Sequence, residues 1–272
     1  MSYSPTKGTL YIMTTSFTKY SANGNHFILL DHMQNGAELT PAQVLTWCDS
    51  IFGVGADGLA EITPHDEFAF RFRLWNSDGG EAEMCGNAAR AAAWHYLKNN
   101  PTLKTVKFKT MNGVYQANLE DGRLWIQMSE QRQDLNLPPD LFNQFSRWYY
   151  VNTGVPHLVL EVSDVEKIDL MNEAPRLRHH RMFPNGTNVD FISVNDPAQP
   201  VVQLRVFERG VEGETWSCGT GVAAVAWACR IWHGWMDDIR VITKGGEHRV
   251  RFRDGKLWYS GEIKKVFTGE LL

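Results

Sequence analysis

The 272-residue chain is 43% hydrophobic and 21% charged, the balance of a globular protein and not of a disordered one. Its 27 basic and 31 acidic side chains leave a formal charge of −4, without the basic surplus of a dedicated nucleic-acid binder. No apolar run approaches the roughly 18 residues of a membrane helix, and the opening MSYSPTKGTLYIM lacks the features of a secretory signal, so a cytoplasmic protein without nucleic-acid or membrane partners is expected.

In chain order, short apolar or alternating runs predict strands at Phe27–His32, Leu59–Thr63, Phe68–Asn76, Thr105–Thr110, Val114–Leu119 and Arg123–Met128. Helices are predicted at Pro41–Phe52 and Cys85–Lys98. The pattern breaks at Gln131–Pro139, which places a boundary between residues 1–131 and 132–272, with the last strand free to return to the first half. The second half offers strands at His157–Val162, Val189–Val194, Gln203–Glu208, Ile239–Thr243, His248–Arg253 and Leu257–Ile263. Its helix, Gly219–His233, is followed by Gly234 as a C-terminal cap. The two Ala-rich helices are apolar nearly all round and are expected to be buried. Many strands around a buried helix predict an α+β fold, with a mixed or antiparallel sheet wrapped around a central helix.

The halves resemble each other. CGNAARAAAW from Cys85 and CGTGVAAVAW from Cys218 share Cys, Gly, two Ala positions (Ala91 with Ala224, Ala93 with Ala226) and Trp (Trp94 with Trp227). An alternating run precedes each, FRLWN and LRVFE, followed by a turn rich in Gly and Glu. Strand, turn, Cys-Gly and small-residue helix therefore occur twice, which points to duplication. The six residues Gly53–Gly58 fit a G-x-G-x-x-G dinucleotide pattern. That pattern needs a strand before it and a helix after it, and here the order is reversed. Asn185-Gly186-Thr187 fits a glycosylation acceptor, with no secretory signal to accompany it.

None of the four cysteines forms a C-x-x-C pair, so neither a structural zinc site nor a disulfide scaffold is indicated. Cys48 and Cys229 lie within helices and read as packing residues. Cys85 and Cys218 each stand where a turn becomes a helix. Unpaired N–H groups and the positive end of the helix dipole lie there, a setting that favours thiolate and attracts a substrate carboxylate. One such cysteine suggests a nucleophile. Two in mirrored settings suggest a symmetric task, moving a proton from one face of a carbon to the other. One thiol must then be ionised and the other protonated, as a coupled titrating pair.

The motifs FTKYSANGNHF, NSDGGEAEM, MCGNAAR, GVPH, NGTNVDF, VFERG and SCGTG resemble the diaminopimelate epimerases, from about Phe17 to the C-terminus. The resemblance implies two similar domains with the site in the cleft between them, no pyridoxal phosphate or other cofactor, no metal, and interconversion of LL- and meso-diaminopimelate in lysine and peptidoglycan synthesis. By resemblance, Cys85 and Cys218 are the proton-transfer residues, assisted by His157 and Glu208. Gly86 and Asn87, with Gly219 and Thr220, are the helix starts that hold the α-carboxylate. Asn25, Asn76, Asn188 and Arg209 hold the substrate, Arg209 on its distal carboxylate. The sequence departs from the family at His26, where Asp is usual, at Val155, where Asn is common, at Gly58, where some members have Gln, and at Ala88, where Gly is usual. The first sixteen residues extend beyond the usual start. Trp94, Trp227, Trp232 and Trp235 are core or interface candidates, and a homodimer is expected. The distal departures keep open a racemase of another amino acid on the same scaffold. A thiol hydrolase using His157 as base, which has no use for a second cysteine, and a non-catalytic binding protein are the readings from other classes.

Overall fold

The structure is a computed structural model that describes residues 14–34, 38–128, 131–133 and 135–271. The N-terminal extension up to residue 13 lies outside the described residues. The first half runs β1 (Thr15–Ala22), β2 (Asn25–Asp31), α1 (Pro41–Cys48), β3 (Gly58–Thr63), β4 (Arg71–Asn76), β5 (Glu81–Ala82), α2 (Gly86–Asn99), β6 (Thr105–Thr110), β7 (Gly113–Glu120) and β8 (Arg123–Gln127). The second runs β9 (Arg147–Asn152), β10 (Pro156–Glu161), α3 (Leu170–Arg178), β11 (Asn188–Ser193), β12 (Val201–Glu208), β13 (Gly213–Thr215), α4 (Gly219–His233), β14 (Ile239–Thr243), β15 (Gly246–Arg253) and β16 (Lys256–Gly261), and β17 (Ile263–Leu271) follows.

The duplication extends through the whole topology. In the first half β1 and β2 pair antiparallel, β2 and β3 parallel across α1, and β3, β4 and β5 antiparallel. A parallel step from β4 to β6 across α2 leads to the antiparallel β6–β7–β8. The second half repeats each pairing: β9 with β10, β10 parallel to β11 across α3, β11 with β12 and β13, β12 parallel to β14 across α4, then β14–β15–β16. Two ladders join the halves. In the first, β16 pairs with β8 through Trp258 opposite Gln127 and Tyr259 opposite Ile126. In the second, β17 runs antiparallel to β1 along its whole length, from Thr15 opposite Leu271 to Ala22 opposite Ile263.

Each half of the continuous sheet wraps closely around its helix because the helix is narrow. On α2, Ala88, Ala89, Ala91, Ala92 and Ala93 are fully buried, and on α4 so are Val222, Ala224, Val225, Ala226 and Ala228. Small side chains bring the backbone close to the surrounding sheet, and aromatic rings fill the wider gaps. Phe70 and Phe108 stack at 4.9 Å between ring centroids beside α2. Gly234 caps α4 in the left-handed conformation at φ 73°, as its sequence position predicts.

The predicted first helix is too long by one turn. Thr40 and Gln43 form a capping box at its start, but the Asp49 carboxylate accepts from the N–H groups of Ile51 and Phe52 and turns the chain away after Cys48. The stretch Gly53–Gly58 therefore follows α1 and runs into the first residue of β3, with a helix before it and a strand after it.

Candidate active site

The turns after β5 and β13 deliver two cysteines to equivalent places. Cys85 (φ −138°, ψ 122°) and Cys218 (φ −126°, ψ 113°) are the N-cap residues of α2 and α4. The two helix starts abut: a β-carbon built on Gly86 would lie 3.8 Å from the Cα of Gly219, and one on Gly219 would lie 3.7 Å from the Cα of Gly86. Both helix N-termini and both thiols thus face one cavity of about 790 Å³ between the halves.

Of the residues assigned from sequence, Asn25, Asn76, Cys85, Gly86, Asn87, Asn188, Glu208, Arg209, Cys218, Gly219 and Thr220 line this cavity. His157 does not. It is fully buried behind Thr220, with Nδ1 2.7 Å from Asp190 Oδ2 and Nε2 2.9 Å from Thr220 Oγ1. The Thr220 hydroxyl in turn lies 3.2 Å from Cys218 Sγ. A carboxylate only accepts, so Nδ1 carries the proton and Nε2 accepts from Thr220, whose oxygen is left to accept from the thiol. The histidine therefore reaches the cavity through a hydroxyl. Asp190 was not singled out from sequence, although it follows Asn188 by two residues, the spacing that puts both on one face of β11.

The side-chain amides that line the cavity are held in place. Asn87 Nδ2 donates to Asn25 Oδ1 at 2.7 Å and to Ser217 Oγ at 3.0 Å, which ties both halves beneath the cavity. Asn188 Oδ1 accepts from the backbone N–H of Arg209 at 2.8 Å, and Arg209 Nη1 donates to the Asn185 carbonyl at 3.2 Å. The departures from the family pattern divide into two groups. His26 is exposed, with its backbone N–H bound to Asp57, and Ala88 is buried in the core. Gly58 and Val155 line the cavity. A β-carbon at Gly58 would come within 2.6 Å of the Trp75 carbonyl oxygen, so this backbone has no room for a side chain there.

The thiols differ from expectation in one respect. Helix starts were expected to favour thiolate, but burial pushes both thiols above the usual cysteine range, Cys218 well above it. The N–H groups of Ala88 and Asn87 pull Cys85 down, as do Thr220 and the Gly221 N–H at Cys218, yet desolvation outweighs them. The Glu208 carboxylate pushes both upward, and Asp190 adds to this at Cys218.

Glu208 accepts a short hydrogen bond from Thr215 Oγ1, and burial raises its pKa. A carboxyl whose pKa is higher in the folded than in the unfolded state adds stability when protonated and loses it as pH rises through the folded value. Glu208→Gln is thus expected to raise the melting temperature at pH 8 relative to the native protein, with the gain shrinking toward pH 4. Thermal unfolding at the two pH values checks this, and an equal shift at both would contradict it.

Comparison with known proteins shows the family. The family model described as diaminopimelate epimerase matches residues 17–132 and 149–266. The chain belongs to the diaminopimelate epimerase family. A diaminopimelate epimerase from Archaeoglobus fulgidus is 33% identical over 95% of this chain and 97% of its own. One from Nitratiruptor sp. is 36% identical over 92% of this chain and 95% of its own. Among solved structures, a PhzF-family phenazine biosynthesis protein of Bacillus anthracis superposes with a TM-score of 0.70 at 16% identity, covering 96% of this chain and all of that one. A probable proline racemase of Agrobacterium radiobacter K84 gives 0.66 at 13% identity, covering 95% of this chain and 93% of that one. Those two share the two-domain fold of the diaminopimelate epimerase family.

Proposed function

We propose that this protein is an isomerase that interconverts LL- and meso-diaminopimelate by proton transfer between two sulfurs. The observation that carries the reading is the pair of N-cap cysteines on abutting helix starts that open onto one cavity. The substrate α-carboxylate binds the free N–H groups of α2 and α4, whose dipoles stabilise the negative charge that grows on the adjoining carbon. One sulfur, as thiolate, takes the α-proton from one face, and the other, as thiol, delivers a proton to the opposite face. The Asp190–His157–Thr220 chain and Glu208 adjust the protonation of Cys218. Arg209, Asn76 and Asn188 hold the distal end of the substrate.

Incubation with LL-diaminopimelate in heavy water tests the reading by mass and chirality. Deuterium is expected at one α-carbon as that centre inverts. Turnover of proline or histidine with none of diaminopimelate would overturn the substrate, and inversion without deuterium would overturn the mechanism.

A further inference from the structure

Asn87 stands two residues after Cys85, and Ser217 stands one residue before Cys218. The 3.0 Å bond from Asn87 Nδ2 to Ser217 Oγ is therefore a direct side-chain link between the two cysteine-bearing segments. A side-chain amide has two donor hydrogens and an oxygen that takes two donors. At Asn87 the protein itself fills all four places. Nδ2 gives its other hydrogen to Asn25 Oδ1 at 2.7 Å. Oδ1 accepts from Arg90 Nη2 at 2.7 Å and from Tyr259 OH at 2.8 Å. A guanidinium only donates, so the amide can face in this sense alone. The Asn87 amide thus has nothing left to offer a substrate, although the residue lines the cavity.

The support behind this amide is a buried charge. Arg90, one turn further along α2, is fully buried and among the described residues meets no carboxylate. Such a charge is ordinarily destabilising. Nη2 also donates to Asn23 Oδ1 at 2.9 Å, Nε and Nη1 find no partner, and the guanidinium carbon sits 4.6 Å from the centroid of the Tyr259 ring. A charged donor binds Oδ1 more strongly than a neutral one does. The Tyr259 ring underlies both helix starts, with Cε1 3.8 Å from a β-carbon built on Gly86 and 3.4 Å from one on Gly219. Arg90 belongs to the first half, and Tyr259 and Ser217 to the second, so both halves grip the same amide. The second half repeats no such link. Thr220 takes the place of Asn87 in its Cys-Gly-Thr, and its hydroxyl and carbonyl are bound within that half, by His157 and Thr153.

We propose that Asn87 is a positioning residue whose side chain is a strut, locked by Arg90 and Tyr259, that sets how far apart the two sulfurs stand and takes no part in binding the substrate. The α-carboxylate then meets the main-chain N–H of Asn87 alone. The inference rests on the two-sulfur reading above.

The test makes Asn87→Ala, Ser217→Ala and the double variant of the full-length chain and takes two readings. The first is kcat and KM for LL-diaminopimelate. The second is bridging of Cys85 to Cys218 by dibromobimane, a short reagent that fluoresces once both of its ends have met a thiol, with the bridged peptides assigned by mass. Bridging reads sulfur separation whether or not turnover occurs, so failure of this inference is distinguishable from failure of the epimerase reading. Each single variant is expected to lower kcat about 10- to 100-fold, as displaced reacting groups do, with KM nearly unchanged. Each is also expected to slow bridging, while both thiols still label singly with iodoacetamide. Because the two substitutions break one bond, the double variant is expected to be no slower than Asn87→Ala alone. A raised KM at native kcat would place the amide on the substrate and overturn the proposal. Native bridging rates in the variants would overturn it too, as would losses that multiply in the double variant. Ser217→Ala leaves the other three bonds of the amide in place, so it decides the matter even where Asn87→Ala does not fold.

Discussion

Replacing either cavity cysteine by alanine is expected to abolish inversion at the α-carbon. Loss of a positioned acid or base typically costs about 10²- to 10⁴-fold in rate, and here each sulfur serves one face of the substrate, so neither can cover for the other. The fold should survive, because both cysteines cap helices through backbone conformation and neither side chain caps its helix by a hydrogen bond. Circular dichroism and thermal unfolding close to native, together with a collapse of epimerisation in both variants, is the expected pattern. Near-normal inversion by Cys85→Ala or Cys218→Ala would refute the two-sulfur scheme. A thiol hydrolase with His157 as base would need Cys218 alone, so the Cys85 variant discriminates most sharply between the two chemistries.

The second large effect is expected at Asp190. Its carboxylate is fully buried and fixes the proton of His157 on Nδ1, and so the direction of every hydrogen bond between His157 and Cys218. Asp190→Ala leaves a buried imidazole N–H without an acceptor, a loss of about 1–3 kcal/mol in stability, readable in denaturant unfolding. Asp190→Asn keeps the shape but removes the charge. It should spare the fold while lowering kcat by about 10²-fold or more, because the histidine proton is no longer fixed. If Asp190→Asn turned over at the native rate, Asp190 would be a packing residue and the relay would lose its anchor.

Much of the architecture is legible in the residues, for identifiable reasons. The strands before the cysteines alternate, and strand, turn, Cys-Gly and Trp recur together around the alanine-rich helices, so both halves and their central helices can be read directly. Three kinds of element cannot. In β1 the run Phe17–Tyr20 is buried at every position, so the period of two is absent. In β17 the residues Lys264–Thr268 are exposed at every position, so no apolar face announces a strand. α3 contains Pro175 in its interior, which argues against a helix until the neighbouring strands are in place. The site divides in the same way. The cysteines and the glycines beside them are visible because they recur. Tyr259 is 172 positions from the Asn87 it touches, and nothing local in LWYSGE marks it. Arg90 stands in the quoted MCGNAAR motif, yet its burial without a carboxylate is a property of the packed interior and leaves no trace in the spacing.

The ladder between β1 and β17 sets the order of events during biosynthesis. β1 receives one of its two neighbours, β17, only from residues made long after it. The leading half therefore leaves the ribosome with an unzipped edge, which closes only after Ile263–Leu271 has emerged. Contacts so distant along the chain make maturation slow compared with that of a helical protein of equal size. They also mean that a nascent chain cut short of Ile263 keeps that edge open, whatever the state of its sulfur-bearing helices.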